Sequence, residues 1–436
     1  MWYNLGMYRT AAISIPNKHY RAVFDCCGVR PVTVKRAVNM LPFILGAVAA
    51  LLAVPFSVMN GLRTDPALAE WWTVYVAQGY ERFMGTVTSV LPVSVFELTV
   101  VLLVIIGARM FVGLVVGLCK ARFYAILKGA LAISVCAACV LDLYMLSMGF
   151  GYYRAPMPLV GSGADYDAKQ AATAAYWFLD DFNALSLKME RAADGSAVCP
   201  YGYRELAKRM NDEYARLDDG YFFGYSPTAK PITNSWFLSS VMITGVTFLP
   251  TGEANVNVAA PPTTATFTMA HELAHTKGVQ REGDANLISY YVMLSSDDDY
   301  IRYCGYYATF YSFISAVSLT DPENPDYAQI VRSVVQPTRT EYSAASDYWD
   351  RQPDILGQIG EFFNNIYLLF NGASNGTGSY DDGRLPSTET PVDPDTDEPI
   401  LDPDTGKPVV IPVYSDLQKI YFYLYEQRNG VPQKGK

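Results

Sequence analysis

The chain has 436 residues, half of them apolar, and a net charge of −10 with a pI near 4.9. That length allows two or three folded units, and near-average glycine and proline argue against a fibrous or wholly disordered chain. The acidic balance repels phosphate backbones, so no nucleic acid is expected as a partner.

Three apolar segments occupy the first 150 residues. The first runs from Val38 to Leu62 without a charge, with Pro42 and Pro55 near its ends. Its length suffices to cross a hydrocarbon core of ~30 Å. The second runs from about Pro92 to Cys119 and contains Arg109, and the third from about Gly129 to Phe150 and contains Asp142. A polar leader as long as residues 1–37 disfavours a cleaved signal peptide.

Basic residues gather before the first span (Arg9, Lys18, Arg21, Arg30, Lys35, Arg36) and again between the second and third (Lys120, Arg122, Lys128). The loop from Arg63 to Leu91 balances its two arginines against Asp65, Glu70 and Glu81. Positive charge stays on the cytoplasmic side. The expected layout is a cytoplasmic segment 1–37, a membrane domain 38–150 with three spans, and an extracytoplasmic domain 151–436. The lipid bilayer of the cell membrane is then one partner. Arg109 and Asp142 would sit ~16 and ~20 Å from the cytoplasmic ends. Either they form an interhelical ion pair, or Arg109 snorkels and Asp142 occupies a polar pocket.

Beyond the spans, helical spacing covers Ala168–Leu187 and Tyr203–Leu217. The stretch from Ser235 to Val258 is rich in Val, Thr, Ile and Phe and is broken by Pro250-Thr251-Gly252, which reads as two short strands or a hairpin. Helices are expected over about Thr264–Lys277, Glu282–Leu294, Asp299–Leu319 and Asp354–Phe370. Residues 386–412, dominated by Pro, Asp and Thr, read as a disordered or loop insertion. Tyr414–Tyr425 then returns to helical spacing. Of the seven cysteines, Cys199 and Cys304 fall in this region. They form either a disulfide, which an extracytoplasmic site permits, or two separate thiols. The fold class is α+β, mainly helical.

The chemistry centres on His271-Glu272-Leu273-Ala274-His275. Histidines four apart on a helix share one face and suit a tetrahedral Zn2+. Glu272, beside the first ligand, can serve as general base toward a zinc-bound water. A catalytic zinc needs a third protein ligand. The remaining histidine, His19, is expected in the cytoplasm, so the third ligand is a carboxylate. Gly278 ends the helix, and the chain then presents Glu282 or Asp284. Asn286, four residues after Glu282, shares its face and can orient a ligand. Asp284 points about 160° away from Glu282 on an ideal helix.

HELAH followed by Gly278 and Arg281-Glu282-Gly283-Asp284-Ala285-Asn286 resembles the DUF3810 family of membrane proteins, a zincin-like group. Gly245-Val246, Pro250, Gly252–Asn257, Asp299–Tyr303 and Gly378-Ser379-Tyr380 are similar to family segments too. The resemblance extends over most of residues 38–425 and implies three N-terminal spans before a zincin-like, gluzincin-like metallopeptidase domain. Zincins lay peptide substrate along an edge strand beside the metal helix. Asn255, Val256 and Asn257 are the candidates, unless that strand is internal. Tyr290, Arg302 and Tyr303 are candidates to stabilise the oxyanion.

The expected function is a membrane-anchored zinc peptidase acting on a peptide or protein substrate. The competing reading is a membrane-anchored metal-binding sensor or interaction protein without proteolytic activity.

Overall fold

The computed structural model describes residues 31–156, 166–217, 227–320 and 326–433, apart from 395, 397, 404, 405 and 410. His19, Cys26, Cys27 and most of the expected cytoplasmic segment lie outside these residues. Three helices are long and apolar enough to cross a membrane: Met40–Leu62, Val95–Cys119 and Phe123–Tyr153. The first belongs to α1 (Pro31–Leu62), which continues without a break past Pro42 and Pro55. The other two are α4 (Val95–Cys119) and α5 (Phe123–Tyr144) with its continuation. Between the first and second spans lie α2 (Pro66–Trp72) and α3 (Gln78–Ser89), joined by a π-helical turn.

The chain divides into two compact units whose boundaries differ from the expected ones. One comprises residues up to Ser57 together with Ile105–Asp142, that is, the greater part of the spans. Here α4 and α5 form a tight antiparallel hairpin, the amide of Arg122 donating to the carbonyl of Gly117 at 2.8 Å. The Arg109–Asp142 ion pair is not formed among the described residues. Arg109 is exposed, and one carboxylate oxygen of Asp142 is buried without a partner. The reason is depth: α5 begins at Phe123 rather than near Gly129. Arg109 therefore sits ~15 Å from the α4 end, and Asp142 ~28 Å from the α5 start.

The other unit comprises Val58–Val104 and Leu143–Lys436. It thus contains the connector α2–α3 and one end of each of the three spans. The connector, expected as a loop, is bound into this unit. Arg154 pairs with Glu70 at 2.7 Å, Tyr80 donates to the carbonyl of Pro250 at 2.7 Å, and Thr88 donates to that of Thr251 at 3.0 Å.

Its remaining elements, in chain order, are α6 (Ala168–Lys188), α7 (Tyr203–Arg216), β1 (Lys230–Pro231), α8 (Ser235–Ser240), β2 (Gly245–Phe248), β3 (Glu253–Val256), α9 (Pro262–Thr276), α10 (Glu282–Leu294), α11 (Asp299–Thr320), α12 (Asp326–Arg332), α13 (Gln336–Asp350), α14 (Asp354–Phe370), β4 (Ser387–Glu389), β5 (Ile411–Val413) and α15 (Asp416–Asn429). The unit is mostly helical. Capping boxes start α6 (Asp167 with Gln170) and α15 (Ser415 with Gln418), each satisfying backbone amides that the first helical turn leaves unpaired.

Much of the tyrosine content is spent in the core. Phe178, Phe182, Tyr306, Phe310, Phe313 and Tyr421 pack between α6, α11 and α15, with Phe313 and Tyr421 stacked at 3.9 Å. Each such ring contributes roughly 1.5–3 kcal/mol of burial, and the hydroxyls find partners, as Tyr306 does at Asp181 and Tyr421 at Thr309.

The expected hairpin forms, β2 pairing antiparallel with β3 from Gly245↔Val256 to Phe248↔Glu253. Its start is later than expected, because Ser235–Ser240 is helical. The sheet order is β1-β3-β2, so β3 is the central strand. Lys230 and Pro231 pair parallel with Asn255 and Val256. Buried Glu253 accepts the amides of Val95 and Phe96 at 3.1 and 2.8 Å, capping the start of the second span from the middle of this sheet, and is neutralised by Lys230.

The Pro/Asp-rich insertion is more ordered than expected. β4 and β5 pair antiparallel at its base. Within it, two near-repeats starting at Val392 and Leu401 are each closed by one bridge, Val392↔Pro399 and Leu401↔Pro408. Cys199 and Cys304 are both free thiols.

Candidate metal centre

The helix α9 enters with Pro262 at its first position, where a missing amide costs nothing. From Met269 to Thr276 every residue is buried. β2 and β3 pack on one side, and α10 and α11 on others. Tyr214 of α7 donates to the carbonyl of Ala270 at 2.7 Å and pins its middle.

The chain leaves this helix at Gly278, whose φ of +86° lies in the left-handed region that favours glycine. The turn brings the carbonyl of Val279 back over His275 and sets Glu282 at the first position of α10. A carboxylate there is favoured by the helix dipole.

His271, His275 and Glu282 converge. Their ligand atoms all lie within 4.8 Å of one another. Nε2 of His271 is 3.1 Å from Oε2 of Glu282 and 3.1 Å from Nε2 of His275, and the latter is 3.4 Å from the same carboxylate oxygen. All three are buried.

The outer nitrogens fix the tautomers. Nδ1 of His275 is 2.7 Å from the carbonyl of Val279, which can only accept, so Nδ1 carries the hydrogen. Asn286 donates through Nδ2 to the carbonyl of Tyr380 at 2.8 Å, which turns its Oδ1 toward Nδ1 of His271, also at 2.8 Å. Both rings therefore aim Nε2 lone pairs at one point beside a carboxylate. Two neutral Nε2 atoms at that separation repel unless a cation or a shared proton lies between them, so this donor set fits a divalent metal such as Zn2+.

Without a metal, a proton takes that role. Burial opposes charge on His275, yet the Glu282 carboxylate outweighs it and lifts the imidazole pKa to about 9. Burial likewise works against ionised Glu282, and His275 and His271 overcome it, holding the carboxyl at about 2.

Asp284 is not part of this group. It pairs with Arg281 at 2.7 Å, and burial raises its carboxyl pKa. Glu272 lies on the neighbouring face of α9, buried against β2, and burial raises its pKa. Thr247 donates to its Oε2 at 2.6 Å and holds the carboxylate in place. Gly245 makes room for it: a Cβ there would lie 2.5 Å from Oε1 of Glu272.

The edge-strand expectation is corrected. Asn255, Val256 and Asn257 are wholly buried. Asn255 and Val256 are paired on both sides, and the carbonyl of Val256 accepts from the amide of Ile232 at 2.9 Å. Asn257 donates its own amide to Thr244. Among the described residues, Asn255 and Val256 therefore leave no strand edge for a peptide. The edge strand beside Glu272 is β2, which bonds to β3 alone.

The expected oxyanion donors are also elsewhere. Tyr290 stacks on Phe267 at 5.2 Å, Arg302 pairs with Asp181 and Asp299, and Tyr303 donates to Glu341 at 2.5 Å. Tyr380 is the tyrosine at the centre. Its ring stacks on His271 at 6.2 Å, and burial, with Glu282 and Glu272 nearby, raises its pKa. Tyr152 and Tyr367, joined through their hydroxyls at 2.9 Å, stand behind Glu282. A cavity of about 470 Å³ adjoins Glu282, with Tyr152, Tyr153, Leu368 and Asn371 in its wall.

The molecule is thus a chain with three helices long and apolar enough to span a membrane and a folded unit that buries a His-His-Glu cluster. It belongs to the family described as Protein of unknown function (DUF3810), whose model matches residues 73–383. That match starts within the α2–α3 connector, in keeping with the connector's place in the folded unit. No curated protein and no solved structure matches the chain.

Proposed function

We propose that this protein is a membrane-anchored zinc-dependent peptidase with an extracytoplasmic site. The observation that carries the reading is the convergence of His271, His275 and Glu282, with each imidazole locked by an acceptor behind it. Zinc held there would lower the pKa of a bound water to near neutrality. Glu272 receives the proton as general base, and its burial-raised pKa makes it the stronger proton acceptor. Thr247 and Gly245 fix where its carboxylate stands. Tyr380 supplies a hydroxyl on the Glu282 side of the site, suited to an oxyanion. The free edge of β2 offers main-chain hydrogen bonds to an extended peptide.

The test is Glu272→Gln in the full chain. It is expected to keep one zinc per chain and to lose cleavage of a peptide library. A variant that binds zinc and cleaves at the wild-type rate contradicts the mechanism. Zinc bound by a wild-type chain that cleaves nothing favours a metal-binding sensor or interaction protein.

A further inference from the structure

Helix α14 leaves a broad apolar face uncovered. Ile355, Ile359, Phe362, Phe363, Ile366 and Leu369 are all exposed, by 46 to 73%. At 3.6 residues per turn they fall within an arc of about 120°. The opposite face is packed. At Gly360 a Cβ would come 2.2 Å from the carbonyl oxygen of Val241, and at Gly357 3.0 Å from Met242. Leu368 is fully buried.

The C-terminal end of α14 is tied to span ends. At its C-terminus, Arg63, the residue after the first span, donates to the carbonyl of Phe370 at 2.8 Å, and Tyr144 of the third span meets Asn371. At its N-terminal half it rests on Val241 and Met242, which follow α8. The residues leading into α8, Thr233 and Asn234, donate their amides to Glu97 in the first turn of the second span, at 2.9 and 3.0 Å. A helix ~25 Å long therefore has its C-terminus at the mouth of the first and third spans, and its N-terminal half rests on the segment after α8, whose leading residues bond to the start of the second. The α2–α3 connector also begins and ends at span mouths, and it exposes Trp71, Tyr75 and Phe83.

We propose that α14 lies in the plane of the bilayer interface, with its apolar stripe seated at the boundary of headgroups and acyl chains. The occupant of the stripe is lipid because the helix that carries it bonds at its C-terminus to the ends of the first and third spans. Isolated apolar residues need no explanation, whereas a continuous stripe beside spans does.

The inner face of the same helix reaches the metal centre. Asn364 donates to the hydroxyl of Tyr380 at 3.5 Å, and Tyr367 contacts Tyr152. The cluster is thus separated from the lipid surface by about one helix diameter, ~10 Å, and one aromatic ring. The cavity at Glu282 is walled by the same span end and helix end. With the peptidase reading, on which this second step rests, the substrate class is a polypeptide tethered to the membrane and cut close to its anchor.

The lipid contact is tested with a photo-crosslinking amino acid placed at Ile359, at Phe363 and, outside the stripe, at Glu361, in the full chain in phosphatidylcholine vesicles. Lipid adducts are expected at Ile359 and Phe363 and none above background at Glu361. Adducts to another protein or to a second copy at Phe363, or lipid adducts at none of the three, overturn it. The substrate class is tested with one fluorogenic peptide, free or lipid-tethered in the same vesicles. The tethered form is expected to be cleaved about tenfold faster or more. Equal rates overturn the substrate class and leave the lipid contact standing, whereas cleavage of neither form overturns the peptidase reading.

Discussion

Asn286→Ala isolates the support of the metal centre from its ligands. Asn286 is buried and makes two hydrogen bonds of 2.8 Å, accepting from Nδ1 of His271 and donating to the carbonyl of Tyr380. Truncation leaves a buried ring N–H and a carbonyl unpaired, and lets the His271 ring turn. An outer hydrogen bond of this kind is worth about 10–100-fold in metal affinity, or roughly 1.4–2.8 kcal/mol. Zinc affinity is expected to fall by that factor, measured by competition with a chelator of known affinity. Asn286→Asp keeps an acceptor at the same place and is expected to retain most of the affinity. An Asn286→Ala chain that folds normally and binds zinc as tightly as the wild type refutes the claim that Asn286 orients His271.

The two acids of α10 are separable. Glu282→Gln is expected to weaken zinc binding far more than Asp284→Asn, whose carboxylate is held by Arg281, and equal losses in chelator competition would remove Glu282 from the ligand set. Gly245→Ala puts a methyl 2.5 Å from Oε1 of Glu272, so hydrolysis is expected to drop while zinc content, read by elemental analysis, stays at the wild-type level. Proton and metal compete for His275. With its metal-free pKa at about 9, zinc must displace a proton at neutral pH, and affinity is expected to fall as pH falls, by about tenfold per unit. Glu282, held at about 2, stays ionised throughout, so a pH-independent zinc affinity between neutral and pH 9 would contradict the assigned protonation.

How much was legible depended on sequence distance. His271, Glu272 and His275 are fixed by helical geometry alone. The Gly278 turn narrowed the third ligand to Glu282 or Asp284, and the face shared with Asn286 pointed to Glu282. Asn286 was legible for the same reason, one helical turn further on. Tyr380 comes from a short 3-10 segment nearly a hundred residues downstream, where no periodicity links it to α9. It stood in the sequence only inside Gly378-Ser379-Tyr380. Whether β3 was central or an edge turned on β1, two residues of Lys230-Pro231 that are too short to show alternation. The Arg109–Asp142 pairing failed because hydropathy places a span end only to within a few residues, and ~1.5 Å per residue accumulates to the difference seen. In the sequence, the connector from Arg63 to Leu91 bears on orientation alone, through its charges. Its part in the folded unit lies in side-chain to backbone bonds, such as Tyr80 to Pro250, that composition does not reveal.

The most direct test is an X-ray absorption spectrum at the zinc edge of the purified full chain. The expected result is one zinc per chain, surrounded by two imidazole nitrogens and light oxygen donors at about 2.0–2.2 Å, with the imidazole scattering reduced in His271→Ala and in His275→Ala. Zinc bound through sulfur, or bound undiminished in those two variants, would contradict the assignment of the metal centre to His271, His275 and Glu282.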